Sequence, residues 1–181
     1  MVFDWFKNKK EDFKATFDPA DLRLIHMVKG AFVDYDLQTW EVKEVYQYDW
    51  GNDKASLEFQ LDSGTDILYL LIKKDDELKY SLSKIINIRD IPEKITIYYL
   101  EYQVPPMELS YEGVTYFRKE ENTGLYRKFP NENNVKIVSW TYYNQKEDKI
   151  LMIDQWTEKE FEVSAGIVVQ EYEFSNIIRP L

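Results

Sequence analysis

With 181 residues, 44% of them hydrophobic and 16% aromatic, the chain is long enough to bury one substantial core, and its 14 tyrosines suit half-buried pleated strands better than a helical bundle. A net charge of −10 excludes non-specific nucleic-acid binding, which needs clustered Lys and Arg. The absence of cysteine excludes disulfides, thiolate metal ligands and thiol nucleophiles, and no run approaches the roughly 18–20 consecutive apolar residues of a membrane-spanning helix.

Residues 1–17 place Phe3, Phe6, Phe13 and Phe17 near one helical face, with Trp5 beside them. Phe3, Trp5 and Phe6 are the residues that would touch a membrane surface or a partner. Asp4, Glu11 and Asp12 nearly cancel the intervening lysines, which weakens attraction to anionic lipid and favours a frayed or core-docked helix. The lysines follow the apolar residues instead of preceding an apolar run, so the stretch is no secretory signal, and the cytoplasm is the expected compartment. Asp18-Pro19 reads as an N-cap followed by proline at the first helical position. With Leu22 and Ile25 on an apolar face and Gly30 as the stop, the pattern predicts a short helix over residues 19–29 that contains the lone His26.

From Ala31 the period falls to two. Val33/Tyr35 and Trp40/Val42 alternate with polar neighbours across a turn at 36–38, and residues 45–48 shift the alternation by one, as a β-bulge does. A hairpin turn at 50–53 leads into a strand over 56–61 that buries Leu57, Phe59 and Leu61. After a turn at 63–65, residues 67–72 are apolar without alternation, as in a strand covered on both faces. A charged loop at 73–77 and a strand at 79–82 follow. Residues 95–102 alternate and predict another strand, carrying Tyr98 and Tyr102, before Pro105-Pro106 interrupts any ladder. Further strands are expected at 109–111, 114–118, 125–129 (after a turn at 122–124), 135–143, 150–156, 161–164 and 167–174, with a polar loop at 130–134.

Two stretches recur. Tyr35-Asp36-x-x-Thr39-Trp40 is echoed by Tyr111-Glu112-x-x-Thr115-Tyr116, and Tyr80-x-Leu82-Ser83-Lys84-Ile85-Ile86 by Tyr172-x-Phe174-Ser175-Asn176-Ile177-Ile178. Duplication is the economical account. It predicts a helical segment over 1–30, a first β repeat over 31–104 and a second over 105–181, with about one extra strand in the second around 158–166. The expected fold is mainly β: two homologous antiparallel units packed as a pseudo-two-fold barrel or sandwich, with a short N-terminal helix.

Gly30-Ala31-Phe32-Val33-Asp34-Tyr35-Asp36, leading to Thr39-Trp40-Glu41-Val42 and then Leu57-Glu58-Phe59-Gln60-Leu61, resembles the bacterial domain-of-unknown-function family 4178. Its start reads Gly-x-x-Val-x-Tyr-x-x-x-x-Trp-x-Val, followed by a Glu-Tyr-x-Leu strand in which Phe59 stands here for the tyrosine. The second copy departs further, with Tyr116 for the tryptophan and Trp140 near the position matching Glu58. Counting both copies, the resemblance covers residues 20–178. It implies a fold more than an activity, and an accessory role in a bacterial envelope or stress system.

No P-loop, Gly-x-Gly-x-x-Gly, Gly-x-Ser-x-Gly or His-Glu-x-x-His motif occurs, so no cofactor, metal or catalytic residue is assigned. A histidine-based triad would have to be built on His26. Asp75-Asp76-Glu77 reads as a solvated turn, and Glu58 and Glu101, which could face one another as a carboxylate pair, are placed by alternation on the solvent side. The remaining signal is aromatic: Trp40, Tyr46, Tyr48 and Trp50, then Tyr98 and Tyr102, then Trp140, Tyr142 and Tyr143. They form either a concave surface for a protein partner or small apolar ligand, or the filling between two β layers, which is the plainer account. The expected function is a non-catalytic binding or scaffold protein. One alternative is a carrier of a lipid or other small molecule lined by Trp40, Trp140 and tyrosines. The other is a carboxylate-dependent hydrolase, which needs two carboxyls of raised pKa in one pocket.

Overall fold

The computed structural model describes residues 23–130 and 133–180. In its first half run β1 (Phe32–Tyr35), β2 (Gln38–Gly51), β3 (Lys54–Asp62), β4 (Ile67–Lys74), β5 (Leu78–Ile86) and the helix α1 (Ile95–Tyr102). The second half carries β6 (Glu108–Tyr111), β7 (Val114–Phe129), β8 (Val135–Tyr143), β9 (Lys149–Thr157), β10 (Glu160–Val169) and β11 (Phe174–Ile178). The protein is thus mainly β, and α1 is the one α-helix among the described residues. Phe3, Trp5, Phe6 and the Asp18-Pro19 cap lie outside the described residues. What is described of the expected helix over 19–29 is a single 3-10 turn, Leu24–His26, which buries Leu24.

Both Tyr-acid-x-x-Thr stretches make the same local structure. Asp36 and Leu37 (φ 49 and 61) and Glu112 and Gly113 (φ 47 and 73) take the left-handed region and close two-residue hairpins whose twist suits the flanking strands. Asn52 and Asp53 (φ 50 and 62) do the same between β2 and β3. The bulge lies at Val42/Glu44, a few residues before the expected slip, and moves the buried positions from Trp40 and Val42 to Val45.

All strand pairs are antiparallel, in the order β11-β1-β2-β3-β4-β5-β10-β9-β8-β7-β6. A further pairing of β2 with β7, from Val45 opposite Phe129 to Asp49 opposite Leu125, closes β2–β5 and β10–β7 into a ring. That closure overturns the expected turn at 122–124, because β7 runs unbroken through it. Gly124 is there for close approach: a Cβ would stand 2.2 Å from the Asp49 carbonyl oxygen and 2.7 Å from the Trp50 ring.

Four further expectations are corrected. Residues 95–102 are helical, since Ile95 and Tyr99, four apart, both turn into the core, where Tyr99 meets Trp140 and Phe161 edge-on. Residues 161–174 are not two strands but β10 alone, a 3-10 turn Glu171–Glu173 and the start of β11. The second echo therefore does not hold: Tyr80 lies in β5, which pairs with β10, whereas Tyr172 sits in the turn before β11, which pairs with β1. Around 158–166 the chain holds no strand besides β10, and a separate strand, β11, follows at Phe174–Ile178.

Three apolar clusters form the core. The first gathers Trp40, Val42, Phe59, Leu61, Leu70, Ile72 and Leu82, covered by Leu24, Met27 and Phe174. The second gathers Tyr116, Trp140, Tyr142, Leu151, Ile153 and Val163 under Ile91 and Ile95. The third takes Tyr48 and Leu71 from the first half and Ile137, Ile150 and Met152 from the second.

Gly124→Ala should destabilise the fold by at least about 2 kcal/mol, because the obstructing atom is backbone and cannot rotate away. Thr123→Ala, at the exposed neighbouring position, should stay within about 0.5 kcal/mol. Chemical denaturation of the two variants checks the contrast.

Candidate ligand site inside the strand ring

Strand alternation builds the site. In β3, Phe59 and Leu61 join the first cluster, so Ser56, Glu58 and Gln60 face the other way. In β4, Leu70 and Ile72 do the same, leaving Tyr69, Leu71 and Lys73 on the opposite face. In β9 and β10, Leu151, Ile153 and Val163 enter the second cluster, so Met152, Asp154 and Glu162 are turned away from it. Those opposite faces meet inside the ring. Lys73 reaches across it from β4, its Nζ 2.8 Å from Glu120 Oε2 on β7 and 3.3 Å from Thr141 Oγ1 on β8.

An aromatic seam lines the β2–β7 junction. Tyr126 lies 5.6 Å from Tyr46, 5.4 Å from Tyr48 and 4.7 Å from Trp156, ring centre to ring centre. Tyr48 stacks on Trp50 at 5.3 Å, and the Trp50 indole N–H donates to Ser56 Oγ at 2.9 Å. The Tyr48 hydroxyl donates to Glu58 Oε2 at 2.8 Å.

The carboxylates beside this seam are strongly perturbed. Burial pushes Glu58 up to about 8, against the Tyr48 hydrogen bond, and the charges of Asp154 and Glu162 add to the rise. Burial likewise carries Asp154 up to about 6; the Ser139 hydroxyl and Lys73 oppose it, and Glu162 adds to it. Glu162, opposite Asp154 in the ladder, is raised by its own burial and by Glu160. Tyr126 is raised to about 12, first by burial and then by Glu58 and Glu162. As whole residues all three are half-buried, burial dominates the environment of their carboxyl groups, and none forms an ion pair among the described residues. At neutral pH Glu58 is a proton donor beside a largely ionised Asp154. Among the described residues, no group of three or more His, Cys, Asp or Glu is placed to hold a metal ion.

The sequence-derived aromatic set divides four ways. Tyr46, Tyr48 and Trp50 come together at the seam. Trp40 fills the first cluster, its indole N–H donating to the Tyr35 carbonyl at 3.2 Å. Trp140 and Tyr142 fill the second, with the Tyr142 hydroxyl donating to the Pro106 carbonyl at 2.8 Å, so Trp40 and Trp140 do not line a common interior. Tyr98 and Tyr102 lie 4.5 Å apart on α1, where Tyr102 is exposed. Glu58 is not on the solvent side, because β3 is covered on both faces, and Glu101, exposed on α1, does not stand opposite it. Asp75, Asp76 and Glu77 are exposed in a turn.

Tyr69, Lys73, Tyr126, Asp154 and Glu162 were not singled out by motif. Asp154 carried a signal: it ends the run Ile150-Leu151-Met152-Ile153, apolar at both parities, so a carboxylate continuing that strand has no solvent face to turn to.

The family model described as "Domain of unknown function (DUF4178)" matches residues 29–171. An "Uncharacterized protein" of Aquifex aeolicus (strain VF5) is 25% identical over 169 residues, covering 93% of this chain and 92% of that protein. No solved structure matches. Among the described residues no helix is long and apolar enough to cross a membrane.

Because Glu58 and Asp154 are both raised from their ordinary values of 4.5 and 3.8, the folded chain holds their protons more tightly than the unfolded chain. Their contribution to stability is whole below the ordinary carboxyl range and is lost as pH rises through about 6 and then about 8. Glu58→Gln, neutral throughout, should flatten this loss and exceed the parent in stability at about pH 8.5 by on the order of 2–4 kcal/mol. Urea denaturation at about pH 5 and about pH 8.5 measures it, and equal slopes in parent and variant would sink the assignment.

Proposed function

The chain belongs to the DUF4178 family, and we propose that it is a non-catalytic binding protein whose small-molecule ligand sits inside the strand ring, between the aromatic seam and the three carboxylates. One observation carries this reading: Glu58, Asp154 and Glu162 turn into the ring, where burial dominates their carboxyl groups, without an ion-pair partner among the described residues. Carboxylates kept in a fold interior oppose stability unless something repays them, and a ligand does so by binding the folded chain alone. An interior closed by a ring of about eight strands is the size that side chains fill or one small ligand occupies.

The same reading takes β1–β5 and β6–β10 as tandem copies packed about a pseudo-two-fold, with the ligand between them. Its support is that both halves pair in consecutive order and both open on a two-residue hairpin, after Tyr35 and after Tyr111. The proposed setting, the bacterial cytoplasm and an accessory role in an envelope or stress system, rests on the family resemblance.

A second reading, a carboxylate-dependent hydrolase, is favoured by one feature. Glu58 and Asp154, up at about 8 and about 6, are two coupled carboxyls whose environments separate an acid from a base.

A library of small polar and aromatic fragments screened by NMR against the full chain should return binders that shift amides flanking Glu58 and Asp154. Binders that map only to the outer surface, or no binders at all, overturn the interior site. Turnover of aryl esters or glycosides that vanishes in Glu58→Gln, with a bell-shaped pH profile between about 6 and about 8, would replace binding by catalysis.

A further inference from the structure

Resting on that binding reading, we infer that the ligand of the ring interior is a small organic cation, its ammonium or guanidinium group held by Glu58, Asp154 and Glu162 and its apolar part by the Tyr46–Tyr126 seam. Charge sets the sign. Among the described residues the cation that acts on these carboxylates is Lys73, whose ammonium is already engaged by Glu120 and Thr141, while Lys128, beside Tyr46 in the ladder, is engaged by Glu44. An anionic ligand would meet uncompensated repulsion there, and a neutral one would leave the carboxylates as costly as before.

The rings select an organic cation over a bare ion. Tyr46 and Tyr126 are stacked, and Trp156 stands edge-on to Tyr126, so the π-systems a positive group would contact lie where the charge of Glu58 is felt. A second, independent feature points the same way. In β5, Tyr80 and Leu82 enter the first apolar cluster, so Ser83 is turned inward beside its cross-strand neighbour Tyr69. Ser83 is 2% exposed and its hydroxyl has no hydrogen-bond partner. A buried hydroxyl left open costs stability, and an N–H donor from a cation would satisfy its lone pair.

Protons are linked to the site. Glu58 is faced by Tyr46 and Tyr48 from β2, Tyr69 from β4 and Tyr126 from β7, and by Asp154 and Glu162 from β9 and β10. Lys73 acts on Asp154. None of these supplies Glu58 with a positive charge, so it carries a proton at neutral pH. A bound cation favours its ionised form, so binding expels that proton and tightens as pH rises.

Titration calorimetry of the full chain with n-butylammonium and tetramethylammonium, against the neutral n-butanol and tert-butanol, tests this. The cations should bind at least about tenfold more tightly than the alcohols, and about tenfold more tightly near pH 8 than near pH 6. Near pH 7 the heat should depend on the ionisation enthalpy of the buffer, reporting proton release. Glu58→Gln should weaken the cations about tenfold or more and remove the buffer dependence. The buffer dependence of the unmodified chain is a separate readout should the variant pack differently: cation binding without proton release overturns the inference. Alcohols bound as tightly as cations at interior amides overturn the cation and leave the interior site standing. Interior amides unmoved by any of the four probes overturn both.

Discussion

The structure depends on the closure of β2 against β7. Two meanders of antiparallel strands would each present one apolar face and one wet face, and neither would have an interior of its own. When Val45 to Asp49 pair with Leu125 to Phe129, both wet faces are turned toward one another. Two junctions join one meander to the other, β2–β7 and β5–β10, and the later strand of each brings a glycine to it. A Cβ on Gly124 would stand 2.2 Å from the Asp49 carbonyl oxygen, and one on Gly166 2.0 Å from that of Leu82. Neither glycine is among those with positive φ, so space and not backbone freedom explains both.

Closure also decides the electrostatics. The apolar side chains of β3, β4, β8 and β9 are largely taken up by the first and second clusters, which leaves Ser56, Glu58, Lys73, Ser139 and Asp154 facing inward. Lys73 and Glu120 answer each other across the ring. Glu58, Asp154 and Glu162 are left to adjust by holding protons, which is the usual recourse of carboxyls moved out of water without a counter-charge.

Local pattern carried far where a strand's neighbours matched its own periodicity. Residues 135–143 coincide with β8, Leu57, Phe59 and Leu61 share the core-facing side of β3, and the Tyr35 and Tyr111 hairpins follow from turn chemistry. Pattern failed where tertiary contacts decided. Residues 95–102 have β-branched and aromatic residues at alternate positions, but the core under Trp140 and Phe161 accepts Ile95 and Tyr99 from a helix. Glu58 shows the deeper limit. Alternation places it opposite Phe59 and Leu61, and only the pairing of β2 with a strand some eighty residues on makes that side an interior.

The two sets of five strands contribute unequally to the ring. The first five strands contribute one of the perturbed carboxylates, Glu58 on β3, whose ladder neighbour on β4 is Leu71. The second five contribute two, Asp154 on β9 and Glu162 on β10, with Ser139 on β8 beside Asp154. The open hydroxyl of Ser83 belongs to the first half and the edge-on Trp156 to the second. Two matching halves would offer a ligand two equivalent seats related by the axis between them, and it would bind in two orientations. On the binding reading proposed above, unequal halves leave one seat, with most of the negative charge on the β9–β10 side and most of the seam's rings on β2. A molecule with a charged end and an apolar end fits that polarity in one orientation, whereas a symmetric filling of side chains would need no such difference between the halves.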